Sequence, residues 1–214
     1  MTAFARYYNY EKKLIIISME DLELKLKNSA NQLMIAEYVY ERFYTRFLKI
    51  FDYCDHNEAI YKIDDKEVSQ NIYNTEYKSG FLQLAAGSLM IETLSAFMTG
   101  KNKTDYGTAR NQFDLVFKYA EKKNNDLKVF HNTDFYNKIR CGILHQGESY
   151  GSYTITRNSN NLLIGNEINA FCFHRALKGL LQDYKNDLIS ENWDGEVWNA
   201  CKKKIKYIIK NSKS

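Results

Sequence analysis

The chain has 214 residues, 44% of them hydrophobic and 26% charged, with a formal net charge of +4. These values exclude a disordered chain, and the charge is compatible with RNA while falling far short of a dedicated nucleic-acid coat. The length suits one domain with a real core, or one domain with extensions, and the absence of proline leaves room for long helices.

Residues 1–18 carry Tyr7, Tyr8 and Tyr10 and then Leu14-Ile-Ile-Ile17, a β-branched run that reads as a short strand or an extended arm packing on the body. That run is too short for a signal peptide. The four cysteines, Cys54, Cys141, Cys172 and Cys201, lie far apart and form no metal-type pair. They read as reduced thiols in a cytoplasmic protein. Residues 19–28 mix acidic, apolar and basic side chains and read as helix. Residues 31–53 form a stronger helix, because Leu33, Ala36, Tyr40, Phe43, Phe47 and Ile50 recur at alternating spacings of three and four. Its aromatic residues read as core, with a base-stacking platform as the second reading.

Residues 55–78 are polar and weakly periodic and read as a loop with one or two helical turns. His56 lies there beside Asp55, near Cys54 and Glu58, but no second Cys or His pair follows at ligand spacing, so no metal and no cofactor is expected. Residues 80–99 are the most apolar helix, near the length of a membrane span. Gln83, Ser88, Glu92, Thr93 and Ser95 make it polar for lipid, so it reads as a central core helix, with no membrane partner. On a helical wheel Glu92 shares a small-residue face with Ala85, Ser88, Ser95 and Ala96, which lets another helix approach and places a lone carboxylate to meet a cation. Residues 104–123 form the next helix, with Phe113, Val116, Phe117, Tyr119 and Ala120 inward. His131 lies in the connection that follows, and Thr133 or Asp134 is a candidate cap for the next helix.

That helix, Asp134-Phe-Tyr-Asn-Lys-Ile-Arg-Cys-Gly-Ile-Leu-His-Gln-Gly-Glu148, ends at Gly147, where glycine suits the left-handed C′ position. At about 100 degrees per residue, Tyr136, Ile139, Ile143 and Leu144 mark an apolar face and Arg140 falls inside it. A buried guanidinium needs an anionic partner, and Glu92 is the candidate. His145 follows five residues later, roughly 140 degrees round the wheel. An α-helix does not stack it on Arg140, so the two are expected to converge only at the helix end or across an interface between two copies.

After Gly147 the pattern alternates. Residues 150–157 and 162–164 read as a β-hairpin around the turn cluster Asn158-Ser-Asn-Asn161. Asn166 or Asn169 opens a helix through residue 189, with Phe171, Phe173, Leu177, Leu180, Leu181 and Tyr184 inward and His174 at the core edge. The last helix, residues 193–211, has Asp194 as its candidate cap. It carries Lys202, Lys203, Lys204, Lys206 and Lys210, a solvated face or an attractor of phosphates. The chain therefore divides into an N-terminal extension (1–30), a helical domain (31–190) and a basic C-terminal helix (191–214).

Arg140, four residues, then His145, with Ile139 before the arginine, resembles the R-x4-6-H signature of the HEPN superfamily. The wider run Ile139-Arg-Cys-Gly-Ile-Leu-His-Gln-Gly-Glu148 resembles the form found in bacterial and phage-defence members. The resemblance implies a mainly α fold, an antiparallel helical bundle that is usually dimeric, here with a small β-hairpin after the motif helix. It also implies a metal-independent endoribonuclease in which Arg140 and His145 are catalytic. In the family an acidic or polar residue on an earlier helix stands near the Arg–His site, and Glu92 fills that place. Tyr136, Gln146 and Glu148 are further candidates for orienting the pair. Lys138, Tyr150, Tyr153 and Arg157 are candidates for binding substrate, the other reading of the last three being a hairpin packed on the bundle. The implied partners are RNA, a second copy of the chain and, by analogy, an antitoxin or defence-system protein. The residue after the arginine, usually Asn, Asp or His in active members, is Cys141. It keeps open a non-catalytic HEPN dimer that binds RNA, a nucleotide or a protein, and a plain helical interaction protein in which Arg140 only pairs with Glu92.

Overall fold

A computed structural model of the chain describes residues 3–52, 80–102, 108–157 and 160–212 in full, and the backbone of 53–55, 61–63 and 66–68. Cys54, His56 and Glu58, and the turn at 158–159, lie outside the residues whose side chains are described. The fold is mainly helical with small sheets.

The alternating N-terminal segment forms an antiparallel hairpin, β1 (Ala3–Tyr8) with β2 (Leu14–Ser18), and buries Phe4, Ala5 and Ile17. The Ser18 hydroxyl accepts from the Asp21 amide at 3.0 Å and so starts α1 (Met19–Lys25). α2 (Gln32–Phe43) passes without a break into a π turn (Tyr44–Leu48) and a 3-10 segment (Lys49–Asp55). This change of winding moves the buried face beyond Phe43, and Leu33 lies before it, in the first turn of α2. Ile35, Ala36, Val39, Phe43, Leu48 and Phe51 point inward, while Leu33 and Ile50, assigned to the core by a regular 3.6-residue repeat, are 62% and 61% exposed. Within residues 55–78 the structure has a short antiparallel pair, β3 (Tyr61–Ile63) with β4 (Lys66–Val68), where helical turns were expected.

α3 (Gly80–Thr99) is the centre. Leu84, Met90, Ile91, Leu94 and Phe97 are fully buried. The helix is long and apolar enough to cross a membrane, but α4 (Ala109–Lys122), α6 (Ala170–Ser190), α7 (Glu196–Ser212) and the π turn after α2 pack around it, and Phe43 at the end of α2 meets Phe97 at 5.1 Å between ring centroids. The side-chain pairings give the helix directions. Ser95 Oγ meets Gln112 Oε1 at 3.1 Å, so the last turns of α3 lie against the first turn of α4. Gln32 donates to the Leu188 carbonyl, Glu37 pairs with Lys185, and Asp52 meets Lys178 and His174, so α2 runs antiparallel to α6. α3 and α6 run parallel: Gly80 lies against Ala170, and Gly87 against Phe173 and Leu177. A Cβ on Gly87 would stand 2.5 Å from Phe173 Cε1, so a glycine is what lets these helices touch.

The motif helix is held by aromatic packing. Phe135 meets Phe130 at 4.7 Å between ring centroids, Phe117 at 5.3 Å and Phe173 at 5.6 Å, and Phe135 and Ile139 are buried. Each such burial contributes roughly 1.5–3 kcal/mol. Phe4 and Leu22 from the N-terminal end, and Trp198, Ile205 and Ile209 from the C-terminal helix, belong to the same core cluster.

After the motif helix the strands pair differently from the expected hairpin. β5 (Thr154–Thr156) lies parallel to β7 (Glu167–Asn169), and β6 (Leu163–Ile164) lies antiparallel to β7, giving the order β5-β7-β6. The two runs expected to pair with each other are separated by a third strand. Asn169 then caps α6, its side chain accepting from the Cys172 amide at 2.9 Å. Asp194 does not cap α7 with its carboxylate, which faces Lys202 at 3.3 Å.

Candidate active site

The motif helix is not a regular α-helix. Tyr136–Cys141 is a π turn that runs into a short α segment, α5 (Gly142–Gln146), and stops at Gly147 with φ 71. Arg140 stands near the end of the π turn, and His145, five residues on, near the end of the α segment. Arg140 Nη1 lies 3.5 Å from His145 Nε2 within one chain. The helix end, one of the two places expected, is where the pair converges, and it does so within one chain.

Arg140 is also tied from the other side. Its Nε donates to Glu92 Oε1 at 2.6 Å, and both side chains are 17% exposed. The lone carboxylate on the small-residue face of α3 thus meets the arginine that the motif helix turns inward. The Tyr136 ring lies under the guanidinium, 5.4 Å from centroid to Cζ, and rests in turn against Phe113. Burial pulls the Arg140 pKa down, but the hydrogen bond and charge of Glu92 outweigh it and leave the pKa above the usual arginine value. Burial also raises the Tyr136 phenol, helped by the Cys141 thiol.

His145 is exposed at the end of the helix. A guanidinium only donates, so a hydrogen bond between the two uses the Nε2 lone pair of the imidazole. Opening this edge depends on Gly142. A Cβ at that position would run into the Glu148 carbonyl oxygen as the chain folds back over the helix. Gly142 is helical and buried, so close approach, not a special φ, accounts for the glycine.

The remaining candidates divide. Gln146 and Glu148 are exposed, and neither has a hydrogen bond to Arg140 or His145 among the described residues. Lys138 accepts from the Tyr150 amide at 2.7 Å through its carbonyl, and its side chain lies along Gly151. Tyr150 is 41% exposed, whereas Tyr153 packs on the core. Arg157 lies over the Phe171 ring at 5.8 Å, at the start of α6. Thr133 and Asp134 do not cap the helix with their side chains. Thr133 donates to the Phe130 carbonyl, and Asp134 accepts from Asn137 Nδ2 at 2.6 Å.

A second polar cluster was not anticipated. His174 is 3% exposed, and its Nε2 lies 3.0 Å from Asp52 Oδ1. Lys178 Nζ meets Asp52 Oδ2 at 2.9 Å, and the Tyr44 hydroxyl donates to the same oxygen. The His174 and Lys178 spacing of one helical turn was a usable signal, but their carboxylate comes from a distant part of the chain. No protein-family model, curated protein or solved structure matches this chain.

Proposed function

We propose that the protein is a metal-independent endoribonuclease of HEPN type. The observation that carries this reading is the single-chain convergence of Arg140 and His145 at an exposed helix end, with Glu92 anchoring the arginine. His145, neutral at Nε2, accepts the proton of an RNA 2′-hydroxyl. The 2′-oxygen attacks the adjacent phosphorus, and the bond to the 5′-oxygen breaks. That oxygen takes a proton from water and His145 returns its own to solvent, so the products are a 2′,3′-cyclic phosphate and a 5′-hydroxyl. Arg140 stabilises the charge developing on the phosphate oxygens through the N–H groups that Glu92 does not take. Glu92 and Tyr136 are positioning residues, since they touch the guanidinium.

The same reading includes a bundle of HEPN type, a homodimer that brings two such edges to one cleft, a cytoplasmic location, and a role in toxin–antitoxin or phage-defence systems, the last by analogy alone. A second reading is favoured by Cys141 and by the commitment of Arg140 Nε to Glu92: a non-catalytic dimer that binds RNA, a nucleotide or a protein.

The test is cleavage of mixed RNA by purified protein in excess chelator, beside His145→Ala and Arg140→Ala. Cleavage by the wild type with cyclic-phosphate ends, lost in both variants, supports the ribonuclease. Equal cleavage by all three proteins overturns it, and no cleavage by three folded proteins favours the binding reading.

A further inference from the structure

Several cations of this fold have found a carboxylate. Arg140 has Glu92, Lys123 has Asp187, Lys185 has Glu37, Lys202 has Asp194 and Lys178 has Asp52. Among the described residues, three cations that share one pocket have not. Arg42 and Arg46 stand one helical turn apart where α2 passes into its π turn, and Lys204 reaches them from α7. Together with Thr93 of α3 and the apolar walls Phe47 and Ile208, they line a pocket of about 230 Å³. Among the described residues no carboxylate lies within ion-pair distance of any of the three cations.

We propose that Arg42, Arg46 and Lys204 form a phosphate-binding pocket between α2, α3 and α7. Neutral groups hold two of the cations in place without cancelling their charge. Arg42 Nη1 donates to the Phe4 carbonyl at 2.5 Å, and its guanidinium lies 4.6 Å from the centroid of the Phe4 ring. Lys204 Nζ donates to the Asn102 carbonyl at 2.7 Å and lies 5.2 Å from the Tyr207 ring. Each of these side chains retains further N–H donors for a ligand. The electrostatics agree with the geometry. Burial, then the charge of Arg46, pushes Arg42 down to about 9; burial lowers Arg46; burial and the charge of Arg42 lower Lys204. Every one of these causes opposes the positive charge. At Arg140, by contrast, a carboxylate restores it.

A like-charged cluster that is partly desolvated costs stability when empty. A multiply charged anion reverses that cost. Phosphate fits better than a single carboxylate, because two guanidinium groups can each take a pair of its oxygens while Lys204 supplies a compact third charge. The phosphate can belong to a free nucleotide or to an RNA chain. The pocket is distinct from the Arg140–His145 edge: Thr93 lines it, while the adjacent Glu92 faces Arg140. The proposal does not rest on the ribonuclease reading.

The test uses the full chain, with inorganic pyrophosphate, ADP and a short single-stranded RNA as probes, at constant ionic strength set with potassium chloride. Pyrophosphate should raise the Tm saturably, and calorimetric titration should give one site per chain. Arg46→Gln should have a higher Tm than the wild type when no anion is present, because one repulsive charge is gone. It should also bind pyrophosphate at least tenfold more weakly, as should Lys204→Gln. Tighter binding of ADP identifies a nucleotide as the source of the phosphate; tighter binding of RNA identifies the chain. No Tm rise beyond the chloride control, or equal binding by wild type and both variants, overturns the proposal.

Discussion

His145 stands five residues after Arg140, and its Nε2 lies 3.5 Å from Arg140 Nη1 at the end of the helix that carries both. On its other side the guanidinium donates through Nε to Glu92 Oε1 at 2.6 Å, so one side chain joins the exposed histidine to the central helix.

Glu92 should therefore matter to stability as well as to the site. Glu92→Ala leaves a guanidinium that is 17% exposed without its carboxylate and should cost about 1–3 kcal/mol. Glu92→Gln keeps an acceptor for Arg140 Nε and should cost less. Urea denaturation of the three proteins checks the order. Equal losses in Gln and Ala would show that charge, not the hydrogen bond, carries the interaction.

Two glycines of the motif helix should fail for different reasons. At Gly142 an added Cβ meets the Glu148 carbonyl oxygen, so Gly142→Ala should displace the returning chain and cost about 1–3 kcal/mol. At Gly147 nothing lies within 4 Å of an added Cβ, but φ is 71, so Gly147→Ala should cost about 1 kcal/mol through the backbone alone. Hydrogen exchange separates them: only Gly142→Ala should speed exchange at the Tyr150 amide, which donates to the Lys138 carbonyl.

Asp52 should report on acid stability. Burial pushes its carboxyl up, but hydrogen bonds with Tyr44, His174 and Lys178 and the charge of Lys178 outweigh that and hold it below the usual carboxylate range. A carboxyl with a depressed folded pKa adds stability that is fully present above its unfolded value, about 3.9, and is lost as pH falls through the folded value. Asp52→Asn should thus be less stable than the wild type by a constant margin from pH 7 down to about 5, and the margin should shrink below about pH 4. Urea midpoints measured from pH 7 to pH 3 test this. A margin that stays constant to pH 3 would show that Asp52 is not depressed.

Much of the helical frame was legible in the residues themselves. The long apolar run with its single charge placed the central helix of residues 80–99, Asn166 or Asn169 marked the start of α6, and Gly147 marked the end of the motif helix. Glu92 could be matched to Arg140 because each was a lone charge on an otherwise small or apolar helical face. These signals are local, or nearly so: a cap, a repeat, a stranded charge.

The rest was decided by packing. A π turn leaves no mark in a hydrophobic repeat, since it is a change of winding selected by what the flanking side chains must bury. One such turn hid the buried face beyond α2, where Leu48 and Phe51 point inward in place of Ile50. Strand pairing was hidden likewise, because β5 takes its parallel partner from a segment lying beyond β6. Arg42, Arg46 and Lys204 look like ordinary surface cations until α2 and α7 are brought together. The sequence by itself determined which residues are helical and which charges lacked a local partner. Only the tertiary structure decided which charges meet, because contact depends on helix phase and on segments far apart in the chain.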